Sequence, residues 1–366
     1  MVLFQGTQPS WLLTYYEYTP LVTDIDDGLF YGGRAQAWIG DFVKIGASAM
    51  TDQSGTVNRE LLGADITLRM NAGTYIKAEF AQTKGPGYGE VGSGDGGFFS
   101  SPTNNGSGTG AIAPFSNDAV GYRIEAAADL AELGVSQIGG VLTAYYQHRD
   151  AGFAAPGQYT ANEIDQFGVS ATVQVAEGIE VRGAFDHTSD VTSNSDRSDA
   201  NLDVAWKVSD NWSVGGGVGY VENTSGDRLD VGGEVRYHGQ DYEVYAFGQL
   251  TAAVSGTLED NNRFGVGGNV KVTEKLSIGG EISEGDGGLG ARLSADYHYS
   301  DRTEYYLAYE LTDRTNTGSG TAKSGGSVTF GGKTRYTDAL SVYGEERIAH
   351  VGSSVTGLTH AYLHTK

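Results

Sequence analysis

The stretch EYYLAYEL, from Glu304 to Leu311, alternates between two kinds of side chain. One side of the extended chain would carry the aromatic and aliphatic residues Tyr305, Leu307, Tyr309 and Leu311. The other side would carry Glu304, Tyr306, Ala308 and Glu310, which include two carboxylates. A period of two predicts a β-strand. The fold therefore depends on which of the two sides faces the interior of the protein.

The composition of the chain favours an all-β protein. The 366 residues include 56 glycines, 22 tyrosines and only 6 prolines. The hydrophobic share of 39% is low for a soluble domain with a large core, whereas the aromatic share of 11% is too high for a disordered chain. An excess of both glycine and tyrosine predicts many tight turns together with belts of aromatic side chains.

The charge and the absence of cysteine exclude several classes of function. A net charge of −22 argues against a nucleic-acid partner, because phosphate binding needs a basic surface. The chain has no cysteine, so it has neither disulfides nor thiolate metal sites. No run of about 18 apolar residues predicts a transmembrane helix, and the start has no signal-peptide pattern. The opening MVLFQG resembles a protease-site remnant, so residues 1–6 are expected to be a tag and residues 7–366 a single domain.

One unit of about ten alternating residues followed by a turn recurs along the chain. A strand of this length, tilted by about 45°, spans a membrane, whereas strands of soluble proteins are typically about five or six residues long. The outermost strands are predicted at Trp11–Thr19 and Gly357–Thr365, which gives about twenty strands, within a range of 18–22. The eighteen central strands are predicted near residues 29–39, 41–50, 59–71, 74–83, 119–130, 137–149, 164–175, 179–187, 198–208, 211–221, 227–238, 241–252, 262–272, 275–283, 287–299, 302–313, 322–335 and 339–348.

The connections alternate in length. Short turns alternate with connections that are mostly longer and polar, and the longest connection covers residues 84–118. This alternation is typical of a transmembrane antiparallel up-and-down β-barrel with short periplasmic turns and longer extracellular loops. The acidic loops 84–118 and 150–162 are therefore expected to be accessible from outside the cell.

The apolar and charged faces of the predicted strands decide between a barrel and a soluble sandwich. A two-layer sandwich of twenty long strands could bury the apolar faces, whereas a closed barrel in lipid leaves no strand edge unpaired. Because no helix is available to cover the apolar faces, the sequence favours the barrel, with apolar side chains facing lipid. The polar faces would then line a lumen. The predicted lumen-lining residues are Arg69, Lys77, Glu79, Arg123, Glu125, Glu180, Arg182, Asp203, Lys207, Asp230, Glu234, Arg236, Arg292, Asp296, Glu304, Glu310, Lys333 and Arg335.

The predicted lumen carries charges of both signs in nearly equal numbers, so the net charge lies mainly in loops and turns. Pairs such as Glu180 and Arg182 permit two interpretations. Cross-strand charge matching would stiffen the wall. Alternatively, opposed charges would set up a transverse field that acts on passing solutes.

Three stretches resemble one class of bacterial protein. GGRAQAWIGDFVKIGASAM (32–50), AGTYIKAEFAQTKGPGYGE (72–90) and KTRYTDALSVYGEERIAH (333–350) are similar to the barrel module of very large repeat-containing, OmpA-like surface proteins of Gram-negative bacteria. The resemblance implies an integral outer-membrane barrel surrounded by lipid and lipopolysaccharide, serving as a pore or as an anchor for a longer polypeptide. The chain departs from the usual pattern at its end, AYLHTK, because such barrels usually finish with an aromatic residue.

Neither a metal site nor a catalytic site is predicted. TDIDDG (23–28) and the GDGG stretches at 94–97 and 285–288 do not complete a calcium-binding loop, so turn chemistry accounts for them better. Loose binding of divalent cations by acidic loops is the remaining metal expectation. The nearest catalytic candidate is His187 beside Asp186 and Ser189, and the chain is not expected to be an enzyme or to hold a cofactor.

The long loop 84–118 carries three phenylalanines, Phe98, Phe99 and Phe115, which an external loop would not leave in water. Folding inward would shelter these side chains and narrow the lumen, while the alternative is a surface loop without fixed contacts. The sequence therefore predicts a weakly selective, porin-like pore for passive diffusion, whose lumen this loop would narrow if it folds inward. The alternative function is a membrane anchor, or a conduit for secretion of a larger surface or secreted protein.

Overall fold

The computed structural model describes eleven segments of the chain. They are residues 30–53, 58–85, 91–93, 100–102, 118–135, 139–155, 158–160, 162–312, 325–337, 340–351 and 354–365.

The described residues form β-strands and turns. In chain order the strands are β1 (Phe30–Ile39), β2 (Val43–Asp52), β3 (Arg59–Arg69), β4 (Tyr75–Lys84), β5 (Val91–Ser93), β6 (Ser100–Pro102), β7 (Ala119–Asp129), β8 (Gly140–Arg149), β9 (Ala154–Ala155), β10 (Gln158–Tyr159), β11 (Ile164–Ala176), β12 (Ile179–Asp190), β13 (Ser195–Lys207), β14 (Trp212–Asn223), β15 (Gly226–His238), β16 (Tyr242–Val254), β17 (Arg263–Thr273), β18 (Leu276–Gly285), β19 (Gly288–Ser300), β20 (Thr303–Thr312), β21 (Gly325–Arg335), β22 (Leu340–Val351) and β23 (Ser354–Thr365). No helix in the described part of the chain is long and apolar enough to cross a membrane.

Nineteen of these strands form one antiparallel sheet in which each long strand pairs with the next along the chain. The pairing passes from β4 to β7 and from β8 to β11, so two short hairpins, β5–β6 and β9–β10, lie outside the sheet. This is the up-and-down order of an antiparallel β-barrel, as predicted. Among the described residues no pairing joins β1 to β23. The predicted strand Trp11–Thr19, which would close this junction, falls outside the described residues.

The eighteen predicted central strands and the predicted last strand are all confirmed as β-strands. Their boundaries shift by a few residues. The strand predicted at 198–208 begins earlier, at Ser195, and the one predicted at 137–149 begins later, at Gly140. The turn between β7 and β8 is therefore longer than predicted, whereas the connections after β14, β18 and β22 each shorten to two residues.

The large apolar side chains of the sheet are exposed rather than buried. Leu307, at the centre of the stretch EYYLAYEL, is 51% exposed. In the described part of the chain the buried apolar residues are only Ala119, Phe153 and Ala154. Several carboxylates are buried instead, including Asp65, Asp203 and Asp230. The protein is therefore inside-out compared with a soluble sheet, which buries its apolar face.

A two-layer sandwich does not fit this structure. The large apolar side chains of the described wall strands are exposed, for example Leu307 at 51% and Phe264 at 56%, so no second sheet covers this face. A sandwich needs a second sheet about 10 Å from the first, with interdigitating apolar side chains. The single-layer wall therefore excludes the sandwich alternative for the described strands.

Aromatic side chains border the apolar face at both ends of the strands. At the short-turn end, exposed rings include Trp206, Trp212, Tyr242, Tyr299 and Tyr336, and Tyr237 packs edge-on against Trp212 at 5.0 Å. At the loop end, exposed rings include Tyr31, Tyr122, Phe167 and Phe264. Paired aromatic girdles around an apolar band about 25 Å tall are the pattern of membrane barrels.

Candidate functional site

All eighteen predicted lumen-lining residues lie on one face of the sheet, which we call the polar face. The antiparallel register carries this face from strand to strand, because residues directly opposite each other share a side of the sheet. Arg123 lies opposite Glu79, Arg182 opposite Asp203, and Lys333 opposite Glu304. The structure therefore brings the predicted residues together as one continuous surface.

Many ion pairs on the polar face run along a strand rather than across strands. Arg123 Nε lies 3.0 Å from Glu125, Arg182 Nη2 lies 2.5 Å from Glu180, and Arg236 Nε lies 2.9 Å from Glu234. Residues two apart on a strand point to the same face, which allows these contacts. The Glu180–Arg182 pair, named above as a possible cross-strand match, therefore lies along β12. Opposite charges do meet across strands elsewhere, for example Lys333 and Glu304 at 3.7 Å. Both arrangements neutralise charge locally.

The large rings of the polar face lie flat against glycines. Tyr245 covers Gly267, Phe247 covers Gly265, and a Cβ atom at either glycine would overlap the covering ring. An arginine also lies over one of these rings, with the Arg236 guanidinium 4.4 Å from the centroid of Tyr245. These side chains therefore extend along the wall instead of projecting from it.

A chain of hydrogen bonds crosses four strands of the polar face. Arg123 Nη1 donates to Gln147 Oε1 at 2.9 Å, and Gln147 Nε2 donates to Gln166 Oε1 at 2.6 Å. Gln166 Nε2 donates to Asp186 Oδ1 at 2.8 Å, and the Tyr145 hydroxyl donates to the other oxygen of Asp186. The chain fixes the orientation of two amides between a cation and an anion.

The short-turn end of the polar face carries a feature that the sequence analysis did not single out. Trp38 lies on this face, with the Arg69 guanidinium 3.7 Å and the Lys44 ammonium 5.5 Å from its ring centroid. Arg69 also donates to the Asp41 carbonyl oxygen at 2.9 Å. Lys207, the last residue of β13, lies 2.9 Å from Asp210 in the following turn, and this hydrogen bond lowers the pKa of the Asp210 carboxyl.

The loop between β8 and β11 packs onto the polar face. The Phe153 side chain rests on Gly121, where an added Cβ would lie 2.9 Å from the ring, and Phe153 is only 5% exposed. The Ala154 N–H donates to Thr83 Oγ1 at 3.3 Å, which fixes the β9–β10 hairpin to β4. Phe153 and Ala154 of this loop are therefore buried against the wall, while the accessibility of residues 150–162 from outside the cell stays a prediction.

Asp150, at the start of this loop, hydrogen-bonds to the wall. Its Oδ2 accepts a hydrogen bond from the Val120 N–H at 2.7 Å, and its Oδ1 lies 3.0 Å from His148 Nε2. The Thr160 N–H donates to the Phe153 carbonyl at 2.9 Å, which closes the loop on itself. The apolar composition of GFAA at 152–155 was the only sequence signal for this packing.

The predicted constriction residues Phe98, Phe99 and Phe115 lie outside the described residues. Of the long loop, the structure describes the short hairpin β5–β6 and the residues next to β4 and β7. The predicted narrowing by this loop stays a prediction.

The catalytic candidate does not form a catalytic arrangement. His187 and Ser189 lie on the apolar face, whereas Asp186 lies on the polar face and accepts hydrogen bonds from Tyr145 and Gln166. The His187 Nδ1 atom lies 2.9 Å from Ser198 Oγ, and its ring lies 5.2 Å from that of Phe167. Within the described residues no group of three or more His, Cys, Asp and Glu side chains is arranged to hold a metal ion.

Comparison with known proteins gives likenesses at the level of fold. No family model and no curated protein matches the chain. The siderophore receptor PirA from Acinetobacter baumannii has a TM-score of 0.49 and 10% identity, over 93% of this chain and 71% of the receptor. The ferric-catecholate import receptor Fiu from E. coli K12 has a TM-score of 0.47 and 11% identity, over 93% and 74%. A mutant porin of Rhodopseudomonas blastica has a TM-score of 0.40 and 10% identity, over 68% and 91%. At these values the likenesses assign no substrate or partner to the chain.

Proposed function

We propose that the chain forms a weakly selective aqueous pore for passive diffusion across a bacterial outer membrane. The observation that carries the proposal is the polar face itself. It is a continuous surface of internally paired charges whose rings lie flat, on a single-layer wall of nineteen strands. Eight-stranded barrels are just filled by side chains, so a wall of this size encloses space that its own side chains do not fill.

The apolar face supports the membrane part of the proposal. Its exposed aliphatic residues and aromatic girdles match a surface in contact with lipid and lipopolysaccharide. The short turns would face the periplasm and the longer loops the outside. Divalent cations would bind loosely to the acidic loops and bridge them to lipopolysaccharide phosphates.

Balanced charge on the polar face accounts for weak selectivity. Since most charges of this face have an opposite charge within hydrogen-bond distance, small cations and anions would meet similar potentials. Any preference between them should fade as salt rises and the Debye length falls below about 10 Å.

Narrowing of the pore has two candidate segments. The loop 84–118 remains one, and shortening residues 90–114 to a Gly-Ser link should raise conductance if that loop enters the lumen. The loop 150–163 is the other, because Phe153 already rests on Gly121 of the polar face.

The alternative function is a membrane anchor or a secretion conduit for a larger protein. The observation that favours it is the same packed loop, since Phe153 and Ala154 occupy part of the polar face. A lumen that is filled further would carry no current, and the barrel would then serve mainly as an anchor.

Conductance in planar bilayers tests the proposal, with two variants that differ only in the face they alter. Wild type should give a steady, ohmic current. Ala308→Trp, on the polar face opposite Ser294 and Thr329, should lower single-channel conductance, whereas Leu307→Trp on the apolar face should leave it unchanged. Absence of current from folded protein would reject the pore and favour the anchor. Equal effects of the two variants would reject the polar face as the path of the current.

A further inference from the structure

Arg149 differs from the paired arginines of the polar face, such as Arg123 and Arg182. It ends β8 on this face, where it lies opposite Gly121 of β7 and Ile164 of β11. Its side chain is half-buried, and its Nε is buried without an acceptor. The Arg149 side chain has neither a hydrogen bond nor an ion pair among the described residues, whereas Arg123 and Arg182 each contact a carboxylate.

The carboxylates around Arg149 are already engaged elsewhere. Glu125 pairs with Arg123 at 3.0 Å, and Glu79 pairs with Lys77 at 2.7 Å. Asp150, the next residue in the chain, accepts from the Val120 N–H and contacts His148. Asp186, two strands away, accepts from Tyr145 and Gln166. Among the described residues, no carboxylate therefore pairs with the Arg149 side chain.

A second cation and the packed loop border the same place. Arg123 is the diagonal cross-strand neighbour of Arg149, and such neighbours lie about 7–8 Å apart on one face. The Phe153 ring covers Gly121, which is the residue directly opposite Arg149. Thr160, in the same loop, is also buried, and its Oγ1 has no partner. The Arg149 guanidinium, which pairs with no carboxylate among the described residues, therefore lies beside the start of the loop 150–163.

We propose that Arg149 is the centre of a binding site for a small dissolved oxyanion, a phosphate or a carboxylate. A guanidinium offers several N–H donors in a planar fork that matches two oxygens of such an anion. Because Arg149 lies on the polar face, the anion would come from the aqueous side and not from a lipid headgroup. The inference rests on the proposed function only in requiring that solutes reach the polar face.

Thermal unfolding of the full chain in detergent micelles, titrated with inorganic phosphate, tests this site. Unfolding is read from the heat-dependent shift in gel mobility, and chloride at equal ionic strength is the reference. A ligand that binds the folded state raises the midpoint in a saturable manner. We expect saturable stabilisation of the wild type by phosphate, and an apparent Kd at least about tenfold weaker in Arg149→Gln, which corresponds to about 1.4 kcal/mol.

Arg197→Gln is the matched control. Arg197 lies on the polar face at the loop end of β13 and pairs with Asp199 through two hydrogen bonds of 2.7 and 2.9 Å. This variant should keep the wild-type Kd for phosphate. Phosphate also stabilises proteins through exclusion from their surface. An equal phosphate effect in wild type and in Arg149→Gln would therefore overturn the proposal, as would equal losses in the two variants.

Arg149→Lys keeps the test decisive if Arg149→Gln does not fold. Lysine retains the charge but loses the fork of donors, so the folded Arg149→Lys protein should bind phosphate several-fold more weakly, and unchanged binding would overturn the site. Single-channel recordings on the same samples separate this site from the pore. Saturable phosphate binding without current would reject the pore but support the Arg149 site. Current without an effect of the Arg149 variants on phosphate binding would reject the site but support the pore.

Discussion

The two faces of β20 differ in how their side chains are satisfied. On the polar face Glu304 lies 3.7 Å from Lys333, and the Tyr306 hydroxyl hydrogen-bonds with Glu345. On the apolar face Tyr305 and Leu307 are each 51% exposed, with no protein layer over them. The polar groups thus find partners within the protein, whereas the apolar groups need a solvent other than water. That difference is the basis for assigning the apolar face to lipid.

A charged substitution on one face or the other should give the largest difference in stability between the two faces of β20. Leu307→Arg puts a cation on the apolar face near the middle of β20, where membrane barrels lose about 2–4 kcal/mol at the bilayer midplane. Ala308→Arg, at the next residue and the same depth, points to the polar face and should cost much less. Unfolding by denaturant in lipid vesicles measures both. Equal losses would mean that the two faces are not differently solvated.

A substitution beneath one of the flat rings of the polar face should lower stability by less than a charge on the apolar face. Gly267→Ala places a methyl group into the Tyr245 ring, and such overpacking typically costs about 1–3 kcal/mol. Gly215→Ala is the control on the same face, because its nearest neighbour would be the Val204 carbonyl oxygen at 3.6 Å. We expect Gly267→Ala to lower stability and also conductance, since the displaced ring would project from the wall. If both variants match wild type, the rings do not lie flat.

The loop 150–163 buries the apolar side chains Phe153 and Ala154 against the polar face. Phe153→Ala should loosen this loop without unfolding the wall, since the ring contacts Gly121 at its edge. Opening of the loop should increase at least about tenfold, or 1.4 kcal/mol. Hydrogen exchange of the Thr160 amide, which donates to the Phe153 carbonyl, measures this opening. Unchanged exchange at Thr160 would show that Phe153 does not hold the loop.

The smallest effect is expected for the exposed ion pairs of the polar face. Arg182→Gln removes the 2.5 Å contact with Glu180, but both side chains are partly exposed, so the loss should be about 0.2–1 kcal/mol. The loss should shrink in high salt, because mobile ions screen the pair. Thermal midpoints at low and high salt provide the check, and a loss as large as that of Leu307→Arg would contradict the account.

The strands and their faces could be predicted from the sequence because both depend on a local pattern. A period of two over about ten residues identifies a strand, and the antiparallel register then places alternate residues on one face. Glu304 and Glu310 were assigned to the polar face from this alternation alone, and the register agrees. The strand ends were less accurate, as at Ser195, because turn residues continue the alternation.

The contacts between distant segments could not be predicted. Phe153, in a loop, rests on Gly121 of β7, and the local sequence of neither segment specifies this contact. Tyr245 rests on Gly267 because of the register between β16 and β17, which neither strand's sequence contains. Trp38 was missed for a different reason. It lies on the polar face, where the sequence pattern predicts polar residues, and the Arg69 guanidinium over its ring supplies the polar contact.

Cysteine scanning along β20 tests the central claim most directly, because the chain has no native cysteine. Single cysteines at each position from Glu304 to Leu311, in protein reconstituted into vesicles, would be treated with a water-soluble thiol reagent. We expect fast labelling at positions 304, 306, 308 and 310 and protection at 305, 307, 309 and 311. The opposite phase would put the apolar face in water, and labelling without a period of two would contradict the inside-out barrel.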